Sequence, residues 1–337
     1  MSVIERAECT DVVTGAAGFI GSHLVDALLG TGHSVVGIDS FDPWYSPAHR
    51  ARNIETACAD PGFRLEVKDL RTADLRELFD GASTVYHLAA RPGVQHSWGA
   101  GLTRTIEMNV TVTGKVLDAA ISAGVDRVVL ASSSSIYGNT AAAGGSRSKA
   151  PLSPYGVSKA ACEDLADVYR HRGLDIVTLR YFTVFGPRQR PDMAMHRLFE
   201  ATRRCGPSFG RRGSGRQSRE FTFVGDAVDA TVLAGAVSEA RNRTFDIGGG
   251  CVVSLNEVIE VVGRIAGAPV RVRPEPAPAG EPWTTVAAND EARAILGWQP
   301  RTGLRHALCA QWVWHQGIRL ASMSSAQRSA ELVPAGV

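Results

Sequence analysis

The sequence predicts an α/β fold, a doubly wound parallel sheet with helices on both faces and a smaller α/β region toward the C-terminus. Three observations carry that expectation. Short apolar runs of strand length alternate with helical patterns. A glycine-rich turn separates the first run from the first helix. The 337 residues exceed the usual size of one domain and leave room for a second. Hydrophobic residues make up 44% and charged residues 21% of the chain, the balance of a globular protein able to bury a sizeable core.

Taken in order, residues 11–13 read as a strand, residues 23–29 as an amphipathic helix and residues 34–38 as a second strand, which together make one βαβ unit. Further strands are expected at 64–67, 84–88, 127–131 and 175–180, with helices around 106–123 and 158–170. This alternation implies a parallel sheet covered on both faces. From about Arg188 the rhythm breaks into proline-, arginine- and glycine-rich sequence. The first domain is therefore placed at 1–187, with segments from about 220–250 returning to its sheet. A second region is expected over 188–320. Residues 274–282 read as an extended proline-rich loop, and 321–337 as a small, polar, flexible tail. No internal repeat is visible.

Composition narrows the function. A formal charge of +2 is too small for the basic face that marks nucleic-acid binding. The arginine-dense stretch holding Arg203, Arg211, Arg212, Arg216 and Arg219 suits either a phosphate-bearing small molecule or a solvated loop. Six scattered cysteines, Cys9, Cys58, Cys162, Cys205, Cys251 and Cys309, form no close pair for zinc or a redox dithiol, so no metal is expected. The N-terminal segment MSVIERAECTDVV has no long apolar run, and a cytoplasmic protein with neither signal peptide nor membrane span is expected.

Chemistry enters with TGAAGFIG, residues 14–21. Gly15, Gly18 and Gly21 are spaced by three between a predicted strand and helix. Such glycines serve a tight turn where backbone approaches a pyrophosphate set on a helix N-terminus, a Rossmann-type dinucleotide cradle. Phe19 and Ile20 lie inside the same turn. Asp39 ends the next strand eighteen residues after Gly21, where an acid accepts hydrogen bonds from ribose hydroxyls and repels a 2′-phosphate, favouring NAD over NADP. Asp69 and Leu70 follow another short strand and suit an adenine edge, although a turn aspartate capping the next helix fits equally. Leu88, Ala89 and Ala90 end a buried strand in small residues that leave room for a flat cofactor. His87 beside them reads as a packed, hydrogen-bonded residue.

A second constellation joins the serine run Ser132-Ser133-Ser134-Ser135 to Tyr155-Gly156-Val157-Ser158-Lys159. Tyr155 and Lys159, four apart, share one helical face. A free phenol titrates near ~10, and bringing one toward 7 takes about 4 kcal/mol of preferential phenolate stabilisation. A neighbouring ammonium and a positive nicotinamide supply it, and a serine hydroxyl orients the substrate proton.

These motifs together resemble the extended short-chain dehydrogenase/reductases, in particular the nucleotide-sugar epimerases. The likeness runs over nearly the whole chain through TGAAGFIG, Asp39, HLAA, SSSSIYG, SPYGVSK, LRYFTVFGP and REFTFVGD. It implies bound NAD, with Ser133, Tyr155 and Lys159 catalytic and Ser134 and Ser135 near the substrate. Members that dehydrate or decarboxylate carry an acid in the serine segment, and its absence here points to epimerisation through a transient 4-keto sugar. Thr183 and the RPDMA run from Arg190 look most like UDP-glucuronate 4-epimerases, which makes Arg190 a candidate sugar contact, with loop solvation as the alternative. By the same resemblance Arg219 grips the diphosphate. Phe209 stacks on uracil or serves as a core phenylalanine. Asp226 reads as structural.

The implied activity is conversion of UDP-glucuronate to UDP-galacturonate, with UDP-glucose/UDP-galactose epimerisation as the nearest alternative. A net oxidoreductase and a non-catalytic NAD-sensing protein are the other classes. A UDP-sugar is the expected partner, and a homodimer the expected assembly. Two departures from the pattern stand out: residues 278–281 lack the arginine of an RPGD motif, and Asn289 replaces a common aspartate, which puts phosphate contacts there in doubt. The loop 139–153 also lacks acids that often precede the tyrosine.

Overall fold

Val12, Val13, Val85, Val128, Val129, Leu130, Ile176, Val177 and Leu179 are all buried at 1% exposure or less. Strands built from such runs offer water no polar face, so both sides of their sheet must be covered. The computed structural model describes residues 10–139, 147–277, 280 and 282–322. Strands β1 (Thr10–Thr14), β2 (Ser34–Asp39), β3 (Phe63–Val67), β4 (Ala82–His87), β5 (Arg127–Ser133) and β6 (Asp175–Tyr181) alternate with helices α1 (Phe19–Gly30), α2 (Pro47–Asn53), α3 (Leu75–Leu78), α4 (Gly101–Ile106), α5 (Val112–Ala123) and α6 (Pro154–His171). Strands β7 (Val184–Phe185), β8 (Phe209–Arg212), β9 (Ser218–Glu220) and β10 (Thr222–Phe223) follow around α7 (Ala194–Ala201), before α8 (Val224–Ala236) and β11 (Thr244–Ile247) return to the main sheet. The chain continues through β12 (Val252–Ser254), α9 (Leu255–Ala266), β13 (Val272–Glu275), β14 (Thr284–Thr285), α10 (Asp290–Leu296) and α11 (Leu304–Ser322).

The main sheet has seven strands in the order β11-β6-β5-β4-β1-β2-β3, every pairing parallel. Chain order reverses between β1 and β4, and the crevice beyond the C-terminal ends at such a reversal is where open α/β sheets bind ligands. Successive residues of each strand point to opposite faces. Val13, Val35, Val129 and Val177 therefore join one core with α1 and α8, while Val12, Val36, Val128 and Ile176 join another with α5 and α6. A third core, holding Phe185, Leu198, Phe199, Phe209, Val258 and Leu308, packs the C-terminal region. Asp226 is structural there, accepting from Thr302 N at 3.0 Å and from the Thr302 hydroxyl at 3.1 Å.

Several boundaries differ from the sequence expectation. The first helix starts at Phe19 rather than residue 23 because the glycine turn itself opens it, with Gly18 as N-cap. The helix expected over 106–123 is interrupted by a π-helical turn, Glu107–Thr111. β5 continues through Ser133, so the first two serines lie in the strand. α11 runs on to Ser322, past the expected start of the tail. The rest of that tail, Cys9, the centre of the 139–153 loop and positions 278, 279 and 281 lie outside the described residues.

The glycine turn is sterically set. Gly15 has φ of +72°, and a Cβ there would stand 2.9 Å from Ala89 N. A Cβ on Gly21 would overlap the Gly15 carbonyl. Neither neighbour is a side chain able to swing aside. Gly21→Ala is therefore expected to destabilise the fold by about 2 kcal/mol and to weaken dinucleotide binding, read by thermal unfolding and by the NAD content of the purified protein.

Candidate active site

The C-terminal ends of β1, β2, β4 and β5 border one cleft. Gly15, Gly18, Phe19, Ile20, Gly21, Asp39, Asp69, Leu70, Leu88, Ala89, Ala90, Tyr155 and Lys159 line it, together with Arg190. The structure thus gathers every residue that the sequence pattern assigns to cofactor binding. At its floor, Gly15 N donates to Ile38 O at 2.7 Å, tying the turn to β2. The N-cap Gly18 carries no capping side chain, so the first amides of α1 face the turn without an internal acceptor, a standing site for an anion. The glycine cradle and these amides fit the pyrophosphate of a dinucleotide.

Asp39, 5% exposed, binds this turn from the side. Its Oδ2 accepts from Ala17 N at 3.1 Å, while Oδ1 accepts from Phe41 N at 2.8 Å and Arg50 Nη1 at 3.0 Å. A carboxylate offers about four lone-pair positions, so ribose contact draws on the remaining capacity or displaces Arg50. Asp69 accepts the Arg71 backbone amide at 2.9 Å and its Nη2 at 2.6 Å, combining a turn role with a place in the cleft wall. The cap of α3 is Asp74 instead.

Sequence reasoning missed the clasp above the glycine turn. β2 and β4 flank β1, and the segments following them meet: Arg91 stacks over the Trp44 ring at 3.5 Å, His96 packs edge-on to it at 4.6 Å, and Arg104 bonds Asp42 at 2.5 Å. Trp44, Tyr45, Arg50, Lys68 and Arg91 all line the cleft. The aromatic-dense SFDPWYS directly after Asp39 was the available signal.

The first turn of α6 places Tyr155. Ser153 caps it, accepting from Gly156 N at 3.1 Å, and Pro154 occupies the first helical turn, where its missing N–H costs nothing. A Cβ at Gly156 would stand 2.5 Å from Ser135 O, so only glycine lets the helix rest on the serine run. Asn109, in the π turn, donates to Ser158 Oγ at 2.9 Å and accepts from Arg91 N at 2.7 Å. It thereby couples α6 to the clasp. Lys159, 5% exposed, donates to Ala131 O at 2.8 Å.

His87 is structural: its ring bridges Thr14 Oγ1 at 2.8 Å and Thr113 Oγ1 at 3.1 Å. Burial, reinforced by the charge of Lys159, lowers its pKa to about 3, so the ring stays neutral.

In the serine run, Ser132 donates to Glu163 Oε1 at 2.6 Å. Ser133, next along β5 and on the opposite face, has its hydroxyl 3.1 Å from that of Ser135, and Ser134 is 8% exposed. Glu163 heads a buried chain absent from the sequence reading. Arg180 donates to it at 2.9 and 2.7 Å and reaches the Tyr137 hydroxyl at 2.5 Å, which donates to Asp246 at 2.7 Å. Arg147 closes the chain on Asp246.

The remaining predicted contacts lie outside this cleft, except Arg190. That guanidinium is held by Asp192 through two 3.0 Å bonds. Thr183 has φ of +21°, uncommon for a β-branched residue and of the kind that clusters at functional sites. Arg219, on β9, donates to Ser218 O at 2.9 Å and Trp283 O at 3.2 Å. Phe209 is 5% exposed within the third core, and the Arg197 guanidinium covers its ring at 5.4 Å. The structure therefore gives it the core placement and not an open stacking face. Asn289 accepts from Gly248 N and donates to Gly248 O, both at 3.0 Å, a reciprocal pair that an aspartate could not make.

Fold and cleft define a dinucleotide-dependent enzyme of the short-chain dehydrogenase/reductase class. The chain belongs to the NAD dependent epimerase/dehydratase family, whose model matches residues 12–248. It is 37% identical over 300 residues to a protein of Bacillus subtilis described as "Uncharacterized UDP-glucose epimerase YtcB", covering 88% of this chain and 95% of that one. To the UDP-glucuronate 4-epimerase of Thermodesulfobacterium geofontis it is 31% identical over 304 residues, covering 88% and 93%. Among solved structures, UDP-glucuronic acid 4-epimerase from Bacillus cereus, in complex with UDP-glucuronic acid and NAD, superposes with a TM-score of 0.87 at 36% identity, covering 92% of this chain and 99% of that one. NAD is the cofactor. No helix among the described residues is long and apolar enough to cross a membrane.

Burial raises the pKa of Glu163, but the guanidinium of Arg180, the Ser132 hydroxyl and the charge of Lys149 outweigh it, and the net shift is downward. A folded-state pKa below the unfolded value adds stability above the unfolded value, near ~4.5, and that stability is lost as pH falls through the folded one. Glu163→Gln leaves Arg180 without its anion, and we expect it to cost about 3–5 kcal/mol at pH 7, with the deficit shrinking below pH 4, as measured by denaturant unfolding across pH.

Proposed function

We propose that the chain epimerises UDP-glucuronate and UDP-galacturonate at C4, with NAD bound throughout. The observation that carries this reading is the placement of Tyr155 and Lys159 on one face of α6 in the same cleft as the glycine turn, with Ser133 at the end of the adjacent strand. Bound NAD supplies the hydride acceptor and, once reduced, the donor. Tyr155 takes the proton of the 4-hydroxyl and later returns one. Lys159 stabilises the phenolate electrostatically, and Ser133 orients the hydroxyl. The 4-keto sugar turns its other face while Arg219 holds the diphosphate. Ser134, Ser135 and Thr183 border the sugar. The clasp of Trp44, Arg91 and Asp42 keeps the cofactor in place through the cycle.

The uronate reading draws on Arg190, whose pairing with Asp192 takes two of its five N–H donors, and on the likeness to enzymes named for UDP-glucuronate. The Bacillus subtilis relative, described as a UDP-glucose epimerase, supports the neutral sugar as second reading. We place the protein in the cytoplasm as a homodimer. Pairing would bury Leu102 of α4 with Val157 and Val168 of α6, each at least 45% exposed, and a monomer in sedimentation would exclude it.

Incubation with UDP-glucuronate and, separately, UDP-glucose, followed by NMR of the anomeric protons without added reductant, tests the reaction. UDP-galacturonate is expected without accumulation of NADH, and conversion of UDP-glucose alone would replace the uronate reading. Tyr155→Phe should lower kcat by roughly 10²–10⁴-fold with folding intact. Unchanged turnover would remove Tyr155 from its role. Arg190→Ala should raise KM for the uronate by roughly tenfold and leave UDP-glucose unaffected; equal effects on both would assign Arg190 to loop structure.

A further inference from the structure

A separate cluster lies behind the wall of the cleft. His196 and Glu200, on successive turns of α7, meet His315 of α11, with one ligand atom from each within 4.8 Å of the others. His315 is 2% exposed, yet neither ring nitrogen has a hydrogen-bond partner. Its Nε2 stands 2.9 Å from Glu200 Oε1, off the direction that a hydrogen bond needs. His196 Nδ1 is likewise buried without a partner. Buried polar groups left unpaired are rare in folded proteins, and each calls for an explanation.

The surroundings match those of a metal centre. Arg203 Nη1 donates to Glu200 Oε2 at 2.6 Å, which fixes the carboxylate with Oε1 turned toward His315, the orienting role that outer-shell partners play for ligands. Phe199 and Trp312 flank the His315 ring, each 5.9 Å away, and give the cluster an apolar collar. Two imidazoles and one carboxylate are the donor set of zinc and its neighbours rather than of magnesium or calcium. Ligands sharing a tetrahedral ion at ~2.0–2.1 Å stand roughly 3.3 Å apart, within small side-chain rotations of what is observed.

We propose that His196, Glu200 and His315 bind a divalent transition-metal ion of the zinc class, pinning α11 to α7. Gln189 links the site to the cleft: it accepts from His196 N at 3.1 Å and from Gln311 Nε2 at 2.8 Å, and it adjoins Arg190 in the chain. The ion would thus steady the segment carrying Arg190 without touching substrate.

To test this, tag-free protein with its NAD retained is alkylated at exposed cysteines, freed of metal by a chelator, and titrated with Zn²⁺ by calorimetry and with Co²⁺ by visible absorption. One equivalent should bind, Co²⁺ should show the d–d bands of a four-coordinate ion, and Zn²⁺ should raise Tm. His315→Ala and Glu200→Gln should each weaken Zn²⁺ at least tenfold. His33→Ala, at a histidine 2.6 Å from Asp11, should change nothing. If His315→Ala fails to fold, the isosteric Glu200→Gln decides. No saturable binding by the parent protein, or binding that survives Glu200→Gln unchanged, overturns the site.

Discussion

The contact between the first three turns of α6 and the end of β5 sets the geometry on which everything else rests. Tyr155, Lys159 and Glu163 recur every four residues and so share one helical face. Each position is tied to the strand or lies beside it: Gly156 abuts Ser135 O, Lys159 donates to Ala131 O, and Glu163 accepts from Ser132. Sliding the helix by one residue would break all three ties together. The Tyr155–Lys159 spacing and the packing spacing are therefore a single constraint, and the Ser153 cap with Pro154 fixes where its count begins.

This coupling explains what could be read from the sequence. Glycines at 15, 18 and 21, the acid at 39 and the Tyr-Lys pair declare themselves because steric approach and helical period leave few residue types acceptable. The strands were legible for a similar reason, since only uninterrupted apolar runs satisfy a sheet buried on both faces. The clasp was not legible: Arg91 and Trp44 are ordinary residues until the sheet order sets the ends of β2 and β4 on either side of β1. The Glu163 network and the histidine cluster each draw a partner from a distant element, Arg180 of β6 and His315 of α11, and periodicity within one helix carries no trace of those. Phe209 is a different case: the sequence leaves stacking and core roles both open, and the third core holds the ring at the start of β8.

The interrupted helix between β4 and β5 is a further case of geometry overriding propensity. An unbroken helix over 106–123 would satisfy the pattern equally well, but the π turn aims Asn109 inward, where it is 1% exposed. From there one side chain holds the Arg91 backbone through two bonds and Ser158 through a third. Such turns recur at functional sites. Here the turn ties the segment that lines the cleft beside Trp44 to the helix bearing Tyr155 and Lys159.

The partner of Glu163 also decides what Lys159 is able to do. A buried ammonium one turn from a carboxylate would ordinarily pair with it, and such a pair would neutralise the charge it presents to the cleft. Glu163 is instead occupied by Arg180 through both oxygens and by Ser132, while Arg180 is drawn toward Tyr137 and Asp246 beyond. Among the described residues Lys159 has no salt bridge, and its amine holds only the neutral carbonyl of Ala131. Low dielectric strengthens an uncompensated charge acting at short range. The chain of charges from Glu163 to Arg147 thus does more than stabilise β6 against α6: by occupying the carboxylate one turn along the helix it leaves the charge of Lys159 uncompensated in the wall of the cofactor cleft.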